Sequence, residues 1–370
     1  MITFIENNRG GRVMKKKLVS MLLGLTMVGT ALVGCSSAPA ENSTPKETET
    51  KTEAPAKEET KTETPAEEAE EKTDELITIG FSQVGAESDW RVANTESMKG
   101  TLTEENGFNL IFADAQQKQE NQIKAVRDFI SQEVDVIVIA PVTETGWETV
   151  LGEAKDAEIP VIIVDRMIDV SDDSLYTCWV GSDFYQEGLD AVDWLTEYMD
   201  GLGRGQDQLN VAVLQGTIGS SAEIGRTKGV RDGFQEHSNY SIVLEQTGEF
   251  TQAKGQEVME SFLKSGEQID ILIAQNDNMA FGAIDALKAV GKKPAEDVVI
   301  VSFDAVKAAF ESMIAGEMNV SVECNPLHGP RVAELAKAIM NGEEVEKIQY
   351  VEEGVFPADT AAEILPTRVY

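Results

Sequence analysis

Between residues 76 and 324 the chain alternates short, continuous apolar runs with amphipathic stretches of a dozen or more residues, and this alternation constrains its fold most. The runs are LITIGF (76–81), NLIFA (109–113), VDVIVIA (134–140), PVIIVD (160–165), LNVAVLQ (209–215), IDILIAQ (269–275), VVIVSFD (298–304) and VSVEC (320–324). A strand that is apolar at consecutive positions must be covered on both faces, as in a parallel sheet flanked by helices. Between the runs, Ile123, Val126, Phe129 and Ile130 fall on one helical face, and 258–263 continues a similar stripe. The pattern predicts an α/β protein of repeated β-α units in two doubly wound parallel-sheet lobes. The break between lobes falls near 181–183, after four strong units and before a new series that starts with a helix over 184–198 and the run at 209. No Ser/Gly/Pro linker stands there, so the lobes are expected to join through strand-like hinges.

Ahead of this body the sequence carries signals of another kind. Lys15, Lys16 and Lys17 precede an apolar run over 18–33 that ends in small residues, the charged and apolar segments of an export signal. The run is shorter than the ~18 residues of a spanning helix. It stops at Leu32-Val33-Gly34-Cys35, which resembles a lipobox, so Cys35 is expected to become the lipidated first residue of an extracytoplasmic, membrane-anchored protein; Met14 is a candidate start. Residues 36–75 are built almost wholly of Glu, Thr, Lys, Pro and Ala, with no aromatic or β-branched apolar residue to bury. They are expected to form a disordered acidic linker, and Pro45, Pro55 and Pro65 oppose a helix there. Its coil span is about 35 Å or more, enough to hold a folded body away from the membrane.

The formal charge of −34 argues against nucleic acid as a partner, and Lys and Arg form no basic stripe in the mature chain. With Cys35 set aside, Cys178 and Cys324 can pair in an oxidising exterior, but two buried free thiols is the favoured reading. His237 and His328 stand apart and no CxxC or Asp-rich loop occurs, so neither a metal nor a cofactor is expected.

In open α/β sheets, ligands bind outside the carboxyl ends of the strands. The residues that follow the runs are Ser82 and Gln83, Pro141, Asp165 and Arg166, Gln215 to Thr217, Asn276 and Asp277, Asp304, and Glu323 with Asn325. Many are amides, carboxylates or a guanidinium, which can meet a ring of hydroxyls with paired donors and acceptors. Trp90, with Phe81 and Trp147 as weaker candidates, can cover the apolar face of such a ring. Each also has a plainer role. Asn276 or Asp277 can cap the following helix, Asp165 and Arg166 can form a structural ion pair, and Trp147 can belong to the core.

Longer strings carry a resemblance: FSQVGAESDWR (81–91), DAQQKQENQIKAVRDFI (114–130), IAPVTETGW (139–147), EAKDAEIPVIIVDR (153–166), QGTIGSSAEIGRTKG (215–229) and QNDNMAFGAIDALK (275–288). They resemble the type I periplasmic sugar-binding proteins of ABC importers, of the ribose-binding-like family, and are most similar to its galactofuranose-binding branch. The resemblance implies a lobe of 76–182 with about 324–356 and a second of 183–323 with about 357–370, crossing near Cys324 and Phe356. It implies ring-hydroxyl ligands at Asp165 and Arg166, a second arginine at Arg226, an amide at Asn276, a carboxylate at Asp304 and a wall at Trp90 and Arg91. A further contact falls near Glu323, where Cys324 departs from the family pattern. The implied ligand is a monosaccharide, galactofuranose or a related furanose, and the implied partner of this monomer is an ABC permease.

Two other functions compete. Asp165, Asp277, Asp304 and Glu323 can supply the two carboxylates of a glycosidase, but no nucleophile elbow or nucleotide loop accompanies them, and GLGRGQ (201–206) leaves no strand. A sugar-responsive regulator needs a helix-turn-helix and a basic face, where this chain has an export signal. Service to a chemoreceptor or sensor kinase stays open.

Overall fold

The computed structural model describes residues 76–370; the expected export signal, Cys35 and the acidic linker lie outside the described residues. The first lobe is built on β1 (Ile77–Gln83), β2 (Phe108–Asp114), β3 (Val136–Ile139), β4 (Val161–Val164) and β5 (Cys178–Gly181). Helices α1 (Asp89–Thr101), α2 (Gln119–Ser131) and α3 (Glu148–Asp156) connect the first four. After α4 (Phe184–Gly201) the second lobe repeats the plan with β6 (Leu209–Gln215), α5 (Ser221–Gly233), β7 (Tyr240–Thr247), α6 (Gln252–Ser265), β8 (Ile271–Ala274), α7 (Asp277–Ala289), β9 (Val299–Asp304), α8 (Lys307–Ile314) and β10 (Val320–Glu323). The chain returns to the first lobe with α9 (Gly329–Met340) and β11 (Ile348–Tyr350), then ends in the second with β12 (Val355–Pro357) and α10 (Ala361–Ile364).

The two sheets have the same plan, β11-β5-β4-β3-β1-β2 and β12-β10-β9-β8-β6-β7, so β4 and β9 occupy equivalent places. Every ladder is parallel except that between β10 and β12. The continuous apolar runs are explained by burial on both faces. In β3, Val136 and Val138 pack with Phe81, Met98 and Leu335, while Ile137 and Ile139 face the other way onto Phe129, Trp147 and Leu151. Each such side chain contributes about 1.5–3 kcal/mol of burial.

Three segments cross between the lobes. The first follows Gly181, the second follows Glu323, and the third follows Tyr350. They are tied to one another: Ser182 Oγ donates to Glu353 Oε1 at 2.6 Å, the Asn325 amide donates to the same oxygen at 2.7 Å, and Ser182 Oγ lies 3.3 Å from Cys324 Sγ. The resemblance implies a last return near Phe356, and β12 pairs with β10 from Val355 onward. The crossing is therefore complete by residue 354, and the Phe356 ring packs on Phe310 at 5.4 Å. Cys178 and Cys324 are both buried free thiols.

Candidate functional site

Between the carboxyl ends of the two sheets lies a small cavity. From the first lobe, the turn after β1 and the start of α1 supply Glu87, Ser88, Trp90 and Arg91, and the turn after β4 supplies Asp165 and Arg166. The second lobe contributes Phe184, Ala222, Arg226, Phe250, Asn276 and Asp304, and Cys324 comes from the second crossing. Ser88 caps α1, its Oγ accepting from the Arg91 amide at 3.1 Å, and this orients the first turn toward the cavity.

Two charged centres face each other. In the first lobe Arg91 Nη2 meets Asp165 Oδ2 at 2.6 Å and Arg91 Nε donates to Glu87 Oε1 at 3.0 Å. Arg166 is held more loosely: its Nη1 donates to the Val142 carbonyl at 3.1 Å, and its Nη2 lies 3.5 Å from Glu87 Oε1. In the second lobe Arg226 Nε donates to Glu187 Oε2 at 2.6 Å, Nη1 to the Gln275 carbonyl at 2.5 Å, and Nη2 lies 3.5 Å from Asp304 Oδ1. Close packing of α4 and α5 sets this position, since a Cβ on Gly188 would sit 2.7 Å from the Arg226 carbonyl oxygen. Aromatic rings line the centres: Arg91 lies 4.5 Å over Trp90, Arg166 5.2 Å from Phe250, and Arg226 5.3 Å from Phe184.

Asp165 and Asp304 sit at equivalent places, at the ends of β4 and β9, and both have positive φ, 61° and 103°. Such backbone costs on the order of 1–3 kcal/mol and gathers at ligand clamps. Their electrostatics diverge. Burial opposes ionisation of Asp165, but the Arg91 and Arg166 charges prevail and hold it below the usual carboxylate range. Burial pushes Asp304 well above that range, with Asp277 and Glu187 reinforcing the shift against Arg226. One carboxylate is thus set to accept, and the other favours a form that also donates. Burial, reinforced by the neighbouring Arg91 charge, lowers Arg166 to about 10.

Seven of the eight residues expected from sequence, Trp90, Arg91, Asp165, Arg166, Arg226, Asn276 and Asp304, line this cavity. Glu323 does not: its Oε1 accepts from Arg368 Nη1 and from the Tyr370 hydroxyl, each at 2.7 Å, and Cys324 takes its place in the wall. Phe81 and Trp147 are core residues of the first lobe. Asn276 caps α7 by accepting from the Met279 amide at 2.9 Å, and its Nδ2 donates to the Phe250 carbonyl at 3.0 Å. Asp277 is structural, accepting from Ser321 Oγ at 2.8 Å and the Val306 amide at 2.9 Å. Arg226 pairs with a buried acid, Glu187. Glu87, Phe184 and Phe250 were not anticipated. The spacing of Glu87 and Arg91, one helical turn apart, is the signal that could have found the first.

Among the described residues, Glu187, Cys324 and Glu353 bring ligand-type atoms within 4.8 Å of one another. Arg226 already supplies the positive charge at Glu187 that a cation there would provide.

Residues 79–344 match a family described as periplasmic binding protein domain. The chain is 47% identical over 296 residues to the galactofuranose-binding protein YtfQ of Escherichia coli, covering 79% of this chain and 91% of that one. A Mycobacterium smegmatis protein solved in complex with β-D-fucofuranose is 45% identical, with a TM-score of 0.76, over 79% of this chain and 94% of that one. The binding protein of the arabinose ABC transporter of Shewanella sp. ANA-3, solved with α- and β-L-arabinofuranose, is 46% identical, with a TM-score of 0.75, over 79% and 95%.

Proposed function

The chain belongs to the periplasmic binding protein domain family, and from that premise we propose that it captures a furanose sugar between its lobes and hands it to an ABC permease. It is a binding protein and not an enzyme, and its family places it outside the cytoplasm. The observation that carries the reading is the cavity itself, where two arginine–carboxylate centres and three aromatic rings converge from the carboxyl ends of both sheets. Arginine forks and carboxylates suit ring hydroxyls, and Trp90, Phe184 and Phe250 suit the apolar faces of a sugar. Relatives named for or solved with galactofuranose, fucofuranose and arabinofuranose support a five-membered ring. Galactofuranose is the first choice and arabinofuranose the second.

Calorimetry with galactose, arabinose, ribose, glucose and xylose tests this. Galactose and arabinose are expected to bind more tightly than ribose, although only the minor furanose form of galactose is competent and its apparent affinity falls by that fraction. Tight ribose binding with no response to galactose or arabinose would overturn the sugar assignment.

The same reading includes a lipid anchor at Cys35. Among the described residues no helix is long and apolar enough to cross a membrane. Cys35→Ala is expected to release the protein from the membrane fraction of its native host without changing sugar affinity. Fractionation and immunoblotting check this, and retention of the variant in the membrane would exclude the anchor.

A further inference from the structure

The turn that carries Asp304 is strained and is held from outside. Asp304 and Ala305 both have positive φ, 103° and 53°, and two such residues in succession keep that shape only where their surroundings enforce it. Four hydrogen bonds do so. Two come from nearby elements of the second lobe: the Ala305 amide donates to Ser321 Oγ and the Val306 amide to Asp277 Oδ2, each at 2.9 Å. The other two come from residues 368–370. Arg368 Nη2 donates to the Ala305 carbonyl at 2.9 Å, and the Lys307 amide donates to the Tyr370 main-chain oxygen at 2.6 Å. Arg368 is itself fixed. Its side chain is 9% exposed, its Nη1 donates to Glu323 Oε1 at 2.7 Å, and its guanidinium lies 5.2 Å from the Phe310 ring centre and 5.1 Å from that of Phe356. One planar fork thus ties the end of β10 to the turn after β9. The first lobe holds its equivalent turn locally, Trp179 Nε1 on β5 donating to the Asp165 carbonyl at 3.0 Å. In the register of the second sheet Ser321 takes the place of Trp179, and its hydroxyl is already used on the Ala305 amide and Asp277. The donor to a carbonyl of this turn is brought instead from Arg368.

We propose that Arg368 is a positioning residue of the sugar site: by bridging Glu323 and the Ala305 carbonyl, it holds the turn after β9 in the shape that aims the Asp304 carboxylate into the cavity. This rests on the sugar-capture reading and deepens it by naming a residue away from the sugar that sets affinity. Arg368 does not line the cavity, so its effect passes through Asp304. Within the cavity Asp304 is held loosely, Arg226 Nη2 lying 3.5 Å from its Oδ1, and the direction of its carboxylate therefore depends on its backbone. A binding group that drifts by a fraction of an ångström loses the geometry of its hydrogen bonds. Relaxation of the turn toward ordinary φ swings the carboxylate away from a sugar while the sheet beneath it stays in place.

A double-mutant cycle tests the route as well as the effect. Parent, Arg368→Met, Asp304→Asn and the double variant are titrated calorimetrically with whichever of galactose, arabinose, ribose, glucose and xylose binds the parent most tightly. All four proteins are checked for cooperative unfolding. Arg368→Met is expected to weaken binding on the order of tenfold in the parent background, and less than about twofold in the Asp304→Asn background. Hydrogen exchange gives a second readout: the amides of Ala305, Val306 and Lys307 should exchange about tenfold faster in Arg368→Met, with those of β8 unchanged. Where Asp304→Asn binds too weakly to titrate, the exchange result and the loss in the parent background decide together. Arg368→Lys, which keeps the charge beside Glu323 without the planar fork, takes the place of a Met variant that does not fold, with the same expectations. Equal losses in both backgrounds, no loss in the parent background, or parental exchange at the turn of a folded variant would each overturn the positioning role and leave Arg368 as a structural ion pair. A parent that prefers ribose overturns the furanose reading alone. Failure of the parent to bind any of the five sugars would overturn the monosaccharide reading, and this role with it.

Discussion

Arg166→Ala is expected to weaken sugar binding by about 2–5 kcal/mol, roughly 30-fold to several thousand-fold, while leaving the protein folded. The asymmetry of the first charged centre gives the reason. Asp165 already has its counter-ion in Arg91 at 2.6 Å, whereas Arg166 stands 3.9 Å from Asp165 and 3.5 Å from Glu87. Burial lowers Arg166 to about 10 with only loose anionic partners, so its guanidinium has the most to gain from ligand oxygens. Removing it strands no carboxylate, since Arg91 still meets both Asp165 and Glu87. Stability should therefore change far less than affinity. Calorimetry with the preferred sugar, beside thermal unfolding of the same sample, checks both halves. Near-parental affinity in a folded variant would remove Arg166 from the site.

The second large effect is on stability against pH and arises where the crossings meet. Burial raises Glu353 from 4.5 to about 8, the nearby Glu187 adds to the shift, and Ser182, the Asn325 amide and Arg226 offset part of it. Cys324 completes the surroundings. Between those two values the folded protein holds a proton that the unfolded chain has released. The stabilisation is therefore fully present below about pH 4.5 and is lost as pH rises through about 8. Each pH unit in the window removes about 1.4 kcal/mol, so the total approaches about 4–5 kcal/mol. Asp277, raised by burial to about 7, acts in the same direction. Asp165, held low, acts oppositely, and only at acid pH. Denaturant unfolding at pH 5, 6, 7 and 8 should show stability falling across the series, and Glu353→Gln should flatten part of the fall and be more stable than the parent at pH 8. Parallel pH profiles for parent and variant would refute the assignment.

The sheets were legible in sequence wherever a strand is buried on both faces. Runs such as VDVIVIA leave a parallel ladder few alternatives, and β3, β4, β8 and β9 lie within them. Strand β7 was not legible because it is an edge strand, with only Tyr240 buried, and its apolar run is just the three residues Ile242, Val243 and Leu244. Phe250 was missed with it: it follows that strand at a φ of 61°, a turn no composition rule marks. The strand-end rule pointed to Asp165, Arg166, Asn276 and Asp304, which line the cavity; Trp90 was singled out as an aromatic cover, and Arg91 and Arg226 came from the resemblance. Glu323, which the rule also named, lies outside the cavity lining, because its carboxylate is occupied by Arg368 and Tyr370 from the last few positions of the chain. Glu187 carries no local sequence signal, since only the fold places it under Arg226.

Ion pairs and hydrogen bonds are divided differently between the lobes, and that division bears on how long a sugar stays. Among the described residues every ion pair lies within one lobe, including those of Arg91 and Arg226. Across the mouth run hydrogen bonds of ordinary strength: the Asp89 amide to Asn278 Oδ1 at 2.9 Å, Asn278 Nδ2 to Asp89 Oδ2 at 3.3 Å, the Met167 amide to Ser221 Oγ at 2.8 Å, and the Glu144 amide to the Gly219 carbonyl at 3.0 Å. At about 0.5–1.5 kcal/mol each, they hold the lobes together by a few kcal/mol. Parting the lobes separates no opposite charges, so the dwell time of the complex depends mainly on the bonds the sugar itself makes to the two charged centres. A carrier of this kind keeps its cargo for as long as the cargo fits, and a receiver that loosens one lobe shortens that time tenfold for every 1.4 kcal/mol it supplies.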